Sequence, residues 1–248
     1  MKLFRYLPID DAFWRELTGS ELYCGHADGL NINDPPECRI DMEAAIARAR
    51  AVVTDRERLE EIAFLERRLD RYEEKRSAMG VCSFSAVPDN TVNWSRRADD
   101  HKGVCLTYSL PDDYIIRPFP RADAGSVLLG VQPVKYGNNA VTEWLVHGDF
   151  YAPTGGSIVD NAAVRSVTTK GIAWAYEQEV RLLTHEKTNF RLPLDSLNQV
   201  MFGMSISDEA KQQIARRAKE RNPSVKFLQA QPSAASDYGM HVMLTDFV

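Results

Sequence analysis

The chain has 248 residues, 44% hydrophobic and 26% charged, with a formal net charge of -5. That length buries a substantial core, and the excess of acid removes any global electrostatic drive toward nucleic acid or an anionic membrane, leaving only a local basic groove as a route to such partners. The opening MKLFRYLPIDDAFWRE reaches two aspartates by position 11 without an apolar stretch, and no run of about 18 apolar residues follows, so a cytoplasmic protein with no membrane contact is expected.

Residues 2 to 7, KLFRYL, alternate as a short strand with Leu3, Arg5 and Leu7 on one face and Phe4 and Tyr6 on the other. Asp10 or Asp11 then caps a helix carrying Phe13, Trp14 and Leu17, and Gly19 ends it before ELYCG. GHADGLNINDPPE reads as loop. From 41 to about 77 the pattern is helical, with Thr54 and Glu57 as a capping box and Leu59, Ile62, Leu65, Leu69 and Tyr72 at spacings of three and four. Seven basic and eight acidic residues between 55 and 76 cover the rest of that surface. It reads as a charged helical insertion packed by one stripe, and its stretch 54–76 is the candidate surface for a partner protein.

VCSFSA, 81 to 86, alternates as a strand whose Val81, Ser83 and Ser85 share a hydroxyl-bearing face. TVNWSRRADDH makes a helical turn, GVCLTYSL and VQPVKYG are strands, and 139 to 169 is helix and loop. In AWAYEQEVRLL, 173 to 183, Glu177, Glu179 and Arg181 fall on alternate positions, so a strand here places all three on one face and Tyr176, Val180 and Leu182 on the other. That charged face lines a ligand cleft or is simply solvated. NQVMFGMS is a strand, Ser207 caps a helix with acids first and bases last that Asn222 and Pro223 stop, and VKFLQAQ is a further strand. Strands and helices mix without βαβ alternation, so one α+β domain over 1–248 is expected.

The four cysteines, Cys24, Cys38, Cys82 and Cys105, have neither zinc nor disulfide spacing and read as packed thiols. No G-x-G-x-x-G after a strand, P-loop, H-E-x-x-H or G-x-S-x-G occurs, which removes the sequence support for Rossmann, P-loop, zincin and hydrolase-elbow chemistry. His26, Asp28, Asp34 and Glu37 match no metal cage and read as turn chemistry. A metal-dependent nuclease built on Asp34, Glu37 and His101 is the weakest functional reading. His101 as a lone general base lacks a defined partner. Arg5, Ser83 with Ser85, and Glu177 with Glu179 form a more specific set, because three strands each offer polar groups on one face. Arg5, between two leucines, needs an anion once that face is covered, whether a glutamate such as Glu179 or a phosphate.

Three blocks together resemble a bacterial family catalogued as domain of unknown function 2971: Phe4-Arg5-Tyr6 with Asn33-Asp34-Pro35 and Glu37; Cys82-Ser83-Phe84-Ser85 followed by Trp94, Ala98, His101 and Gly103; and Trp174 through Arg181. Pro36, Arg97 and Val180 depart from the residues common there. The order Arg, Ser-x-Ser, Glu-x-Glu also resembles the Arg-Ser-Glu arrangement of ADP-ribosyltransferases, which implies mixed or antiparallel sheets with flanking helices and NAD as substrate. By that resemblance Arg5 holds the dinucleotide phosphates, Ser83 or Ser85 orders the nicotinamide ribose and Glu179 engages its hydroxyl. Glu177 then orients or deprotonates an acceptor, and Tyr6 or Trp174 stacks on a ring. The implied activity is ADP-ribosyl transfer to a protein or nucleic acid, or NAD hydrolysis, in a toxin or phage-defence component. A non-enzymatic interaction module of such a system is the alternative.

Overall fold

The computed structural model describes residues 1–29, 38–110, 112–114, 128–233 and 240–244. KLFRYL forms β1 (Lys2–Leu7), and α1 (Asp11–Gly19) follows, its first turn closed by Asp10, whose side chain accepts from the Phe13 amide at 2.8 Å. Ser20, in the left-handed region, turns the chain into β2 (Glu21–His26). The helical stretch expected over 41 to 77 is three helices, α2 (Met42–Arg50), α3 (Arg56–Glu66) and α4 (Leu69–Ala78). Asp55 rather than Thr54 caps α3, accepting from the Arg58 amide at 2.8 Å.

β3 (Gly80–Ser85), α5 (Thr91–Arg97) and β4 (Val104–Ser109) come next. They are followed by β5 (Leu128–Pro133), β6 (Lys135–Tyr136), α6 (Ala140–His147), α7 (Ile158–Val167) and β7 (Thr169–Lys170). β8 (Glu179–Thr184), β9 (Thr188–Arg191), β10 (Leu197–Phe202), α8 (Asp208–Arg221), β11 (Lys226–Pro232) and β12 (Met240–Leu244) complete the described chain. Ser207 caps α8 as its sequence indicates. Among the described residues no helix is long and apolar enough to cross a membrane.

Ten of these strands form one mostly antiparallel sheet flanked by helices, an α+β arrangement. β3 is its branch point. On one side it pairs along its whole length with β8, from Gly80 opposite Thr184 to Ser85 opposite Glu179, and β5 continues that side. On the other side it meets β2 at its first residues and β1 only at Ser85 opposite Phe4, so β1 and β3 splay apart along most of their length. β1 instead lies fully against β4, with β10, β11 and β12 beyond. The β10–β11 pair is parallel, as is the separate β6–β7 pair.

The two faces of β3 carry different cores. Cys82 and Phe84 face a cluster with Phe13 and Leu17 of α1, Ile214 of α8 and Leu182 of β8. Val81, with Leu183 opposite, faces the helical layer of α2, α3, α4, α6 and α7 through Ile46, Ile62, Leu65, Tyr72 and Val164. The stripe read in the charged segment is therefore packed inside this protein. A third cluster, Tyr6, Trp94 and Cys105, lies under α5 on the far side of β1. All four cysteines are buried free thiols.

Because Ile62 is fully buried and Arg56 on the same helix is exposed, Ile62→Ala should cost about 2–5 kcal/mol in urea unfolding, and Arg56→Ala under about 0.5 kcal/mol. Equal small effects would mean that the helical layer is not part of the cooperative core.

Candidate functional site

On the helix-covered face of β3 and β8, the apolar pair Val81 and Leu183 gives way along the strands to Ser83 opposite Arg181 and Ser85 opposite Glu179. Cross-strand neighbours on one face interact, so the hydroxyl face and the acid face read from the sequence are one surface. An open cleft with about 310 Å³ of empty space, its mouth included, lies there. It is lined by Phe4, Arg5 and Tyr6 of β1, Ser83, Phe84 and Ser85 of β3, Asn93 and Arg97 of α5, and Glu177 and Glu179. The splay of β1 from β3 leaves the room for it.

The approach to β8 differs from the alternation read over 173 to 183. Ile172–Glu177 is a 3-10 helix, Gln178 is left-handed at φ 46°, and the strand begins at Glu179. Tyr176 is consequently exposed rather than sharing the inner face of Val180 and Leu182. The three charges are neither solvated nor free: Glu177, Glu179 and Arg181 are all buried.

Burial of charge requires partners. Glu179 Oε1 accepts from Arg181 Nε at 2.9 Å, and its Oε2 accepts from Arg181 Nη2 at 3.0 Å and Lys170 Nζ at 3.2 Å. Lys170 also donates to Glu177 Oε2 at 2.6 Å, and Arg97 Nη2 donates to Glu177 Oε1 at 3.0 Å. The result is a chain of alternating charge, Arg97–Glu177–Lys170–Glu179–Arg181. Arg181 is anchored further by the Val167 carbonyl at 2.6 Å and the Cys38 sulfur at 3.1 Å. Burial alone would push the Glu179 carboxyl up, but the charge and hydrogen bonds of Arg181, with Lys170 and Arg97 behind them, hold it well below the usual carboxylate range. Glu179 is thus an ionised, immobile carboxylate.

Arg5 faces α1, together with Leu3, and its anion is Glu16 of that helix rather than Glu179. Nε donates to Glu16 at 2.8 Å, and Tyr108 donates to the other oxygen of the same carboxylate at 2.9 Å. Nη1 donates to the Ser83 carbonyl at 2.8 Å, a group that the splayed β1 backbone does not reach. Nη2 has no protein partner among the described residues.

The two serines separate by the same test. Ser85 Oγ donates to the Glu177 carbonyl at 3.2 Å and accepts from the Val87 amide at 3.3 Å, so it fixes the end of the 3-10 helix. Asn93 donates to that carbonyl too, at 3.1 Å. The half-buried Ser83 hydroxyl has no protein partner among the described residues. Tyr6 donates to the Val87 carbonyl at 2.9 Å and meets Trp94 edge-on at 5.2 Å, so its ring belongs to the core under α5. Trp174 is not part of the cleft lining but lies beside it, 5.1 Å from Lys170 Nζ.

Sequence reasoning missed Glu16, Lys170 and Asn93, and it noted Arg97 only as a departure from a family pattern. None sits in a periodic or motif context that marks it. His101 is left-handed at φ 67° and stacks on Trp94 at 6.4 Å, away from the cleft lining. Asp28 pairs with Arg76 at 2.7 Å, while Asn33, Asp34, Pro35, Pro36 and Glu37 lie outside the described residues. Among the described residues no three His, Cys, Asp or Glu groups are placed to hold a metal.

The depressed Glu179 pKa sets a pH dependence. Its stabilisation is complete above the ordinary value of 4.5 and is lost as pH falls from there toward the folded value. Urea unfolding at pH 7 should show Glu179→Gln about 3–5 kcal/mol less stable than wild type, because Arg181 and Lys170 lose a buried counter-charge. The gap should narrow between about pH 5 and pH 3 as the wild type loses its advantage. A gap independent of pH would mean that Glu179 is not held ionised.

Comparison with protein-family models, with curated proteins and with solved structures finds no match for this chain, so the chemistry of the cleft rests on its own side chains.

Proposed function

We propose that the cleft binds NAD and acts at its nicotinamide–ribose bond, in the manner of an ADP-ribosyltransferase or NAD glycohydrolase. The observation that carries this reading is that residues from separate parts of the chain, Arg5, Ser83 and the Glu177–Glu179 pair, line one cleft, in which the two carboxylates are held by cations and the Ser83 hydroxyl is left unspent. The Ser83 hydroxyl and Arg5 Nη2 have no protein partner among the described residues. Arg97, with a side chain 33% exposed, adds a guanidinium at the same cleft.

In this reading the Ser83 hydroxyl and the edge of Glu179 orient the ribose, and the guanidinium groups of Arg97 and Arg5 attract the phosphates. As the bond from C1′ to the nicotinamide nitrogen breaks, its electron pair leaves with neutral nicotinamide and C1′ becomes oxocarbenium-like. A carboxylate already in place stabilises that charge without reorganising. Water or a hydroxyl of an acceptor then forms the new C1′–O bond and releases a proton, with Glu177 orienting the nucleophile.

One feature of the geometry favours a second reading, NAD binding without turnover as an interaction or sensing module. Both oxygens of Glu179 and both of Glu177 are held by cations, which offsets the field that either carboxylate projects into the cleft.

Incubation with NAD and measurement of released nicotinamide tests both. Turnover should fall at least about 100-fold in Glu179→Gln, and Ser83→Ala, which leaves the ion pairs intact, should lower it with unchanged thermal stability. Equal release from wild type and Glu179→Gln removes Glu179 from the reaction. Calorimetric NAD binding with no release establishes the second reading, and neither binding nor release overturns both.

A further inference from the structure

The ion-pair chain at the cleft is unequal along its length. The side chains of Lys170 and Arg181 have no exposed surface, whereas that of Arg97 is 33% exposed and lines the cleft. Arg181 grips Glu179 with two nitrogens, at 2.9 and 3.0 Å, and Lys170 holds Glu177 at 2.6 Å. Arg97 meets Glu177 through Nη2 at 3.0 Å. Water screens this last link and not the buried ones, so an entering ligand breaks it first.

What Arg97 holds there is itself an anion. A guanidinium that lines a cleft and pairs with a carboxylate of its own chain is an anion site filled from within, and a pyrophosphate, with several charged oxygens spaced for a forked guanidinium contact, competes for it. Breaking the link leaves the surroundings in place. The Glu177 carbonyl is fixed by Ser85 at 3.2 Å and Asn93 at 3.1 Å, and its Oε2 stays on Lys170. The helix α5, whose last residue is Arg97, is anchored by the fully buried Trp94. Only Oε1 of Glu177 changes, from paired to available, and Glu177 lines the cleft.

We infer that Glu177 is an internal stand-in for ligand phosphate on Arg97, and that phosphate binding takes Arg97 and frees Glu177 Oε1 toward the cleft. This inference rests on the phosphate-bearing ligand proposed for the cleft but not on turnover. It gives the ligand control of the site: without phosphate Glu177 is neutralised from both sides, and with it one oxygen is open to orient a nucleophile. Because phosphate has to displace Glu177, the coupling is reciprocal, and removing the Glu177 charge tightens phosphate binding.

The test is a double-mutant cycle read by calorimetric titration with inorganic pyrophosphate. Arg97→Ala should bind it at least about tenfold more weakly than wild type. Glu177→Gln should bind it at least about tenfold more tightly than wild type. In the Arg97→Ala background, Glu177→Gln should add less than about twofold, which separates competition for Arg97 from a general gain of positive field. If Glu177→Gln loses its cooperative melting transition, Glu177→Asp, which keeps the charge and shortens the reach toward Arg97, takes its place in the cycle. Unchanged affinity in Arg97→Ala overturns the inference. So does an equal gain from Glu177→Gln with and without Arg97, an affinity for Glu177→Gln no tighter than wild type, or no pyrophosphate binding in any form. Binding that follows the cycle with no nicotinamide release from NAD leaves the inference standing and removes only the catalytic reading. Nicotinamide release that depends on Ser83, with pyrophosphate binding indifferent to Arg97, does the reverse.

Discussion

A carboxylate cannot enter the interior of this protein unless cations go with it, and Glu179 enters with two. Arg181, two residues along the same strand face, grips it with two nitrogens, and Lys170 bridges it to Glu177. Isolated, any of these groups would cost several kcal/mol to desolvate; assembled as an alternating chain they satisfy one another. The arrangement also joins segments that backbone pairing leaves apart. Lys170 arrives on β7, Glu177 on the 3-10 helix, Arg97 on α5 and Arg181 on β8, and the Val167 carbonyl binds the last of these to the end of α7. An apolar replacement would pack as well but would not fix four elements at one point.

The second constraint is the branching of the sheet at β3. A strand bonded along one edge to β8 and on the other to β2 and then β1 cannot lie alongside β1 throughout, and the resulting gap leaves the Ser83 carbonyl without a β1 backbone partner. Arg5 closes the gap with a side chain, using Glu16 and Tyr108 to neutralise and orient its guanidinium. The cleft is the part of that gap left open, and Arg5 is among the residues that line it. Fold and site therefore have one cause: the same divergence that needs Arg5 makes room beside Ser83 and Glu179.

Within the cleft, groups divide by whether the protein has already used them. Ser85, Asn93 and Tyr6 spend their hydrogen bonds on holding backbone, and Glu177 and Glu179 are immobilised by cations. The Ser83 hydroxyl has no protein partner among the described residues. In the proposed reading, the balance between binding and turnover rests on the field that a paired carboxylate still projects.

What the sequence determined by itself was local. Alternation placed β1 and β3, side-chain oxygens ahead of amphipathic runs located the caps at Asp10 and Ser207, and the spacing of Ile62, Leu65 and Tyr72 marked the buried stripe of the charged helices. The break in that segment after Glu66 and the shift of its cap from Thr54 to Asp55 escaped the pattern, since neighbouring polar residues offer nearly the same local signal. At 173 to 183 the period-two pattern held from Glu179 onward but misread the preceding turn, because the left-handed Gln178 leaves no mark in composition. Tertiary structure alone decided that Arg5 meets Glu16, that Lys170 stands between two glutamates, and that the Ser83 hydroxyl, unlike that of Ser85, has no partner among the described residues. Each of these follows from strand pairing between distant segments, and the free energy of burying a charge depends on what arrives opposite it, which no local window of sequence contains.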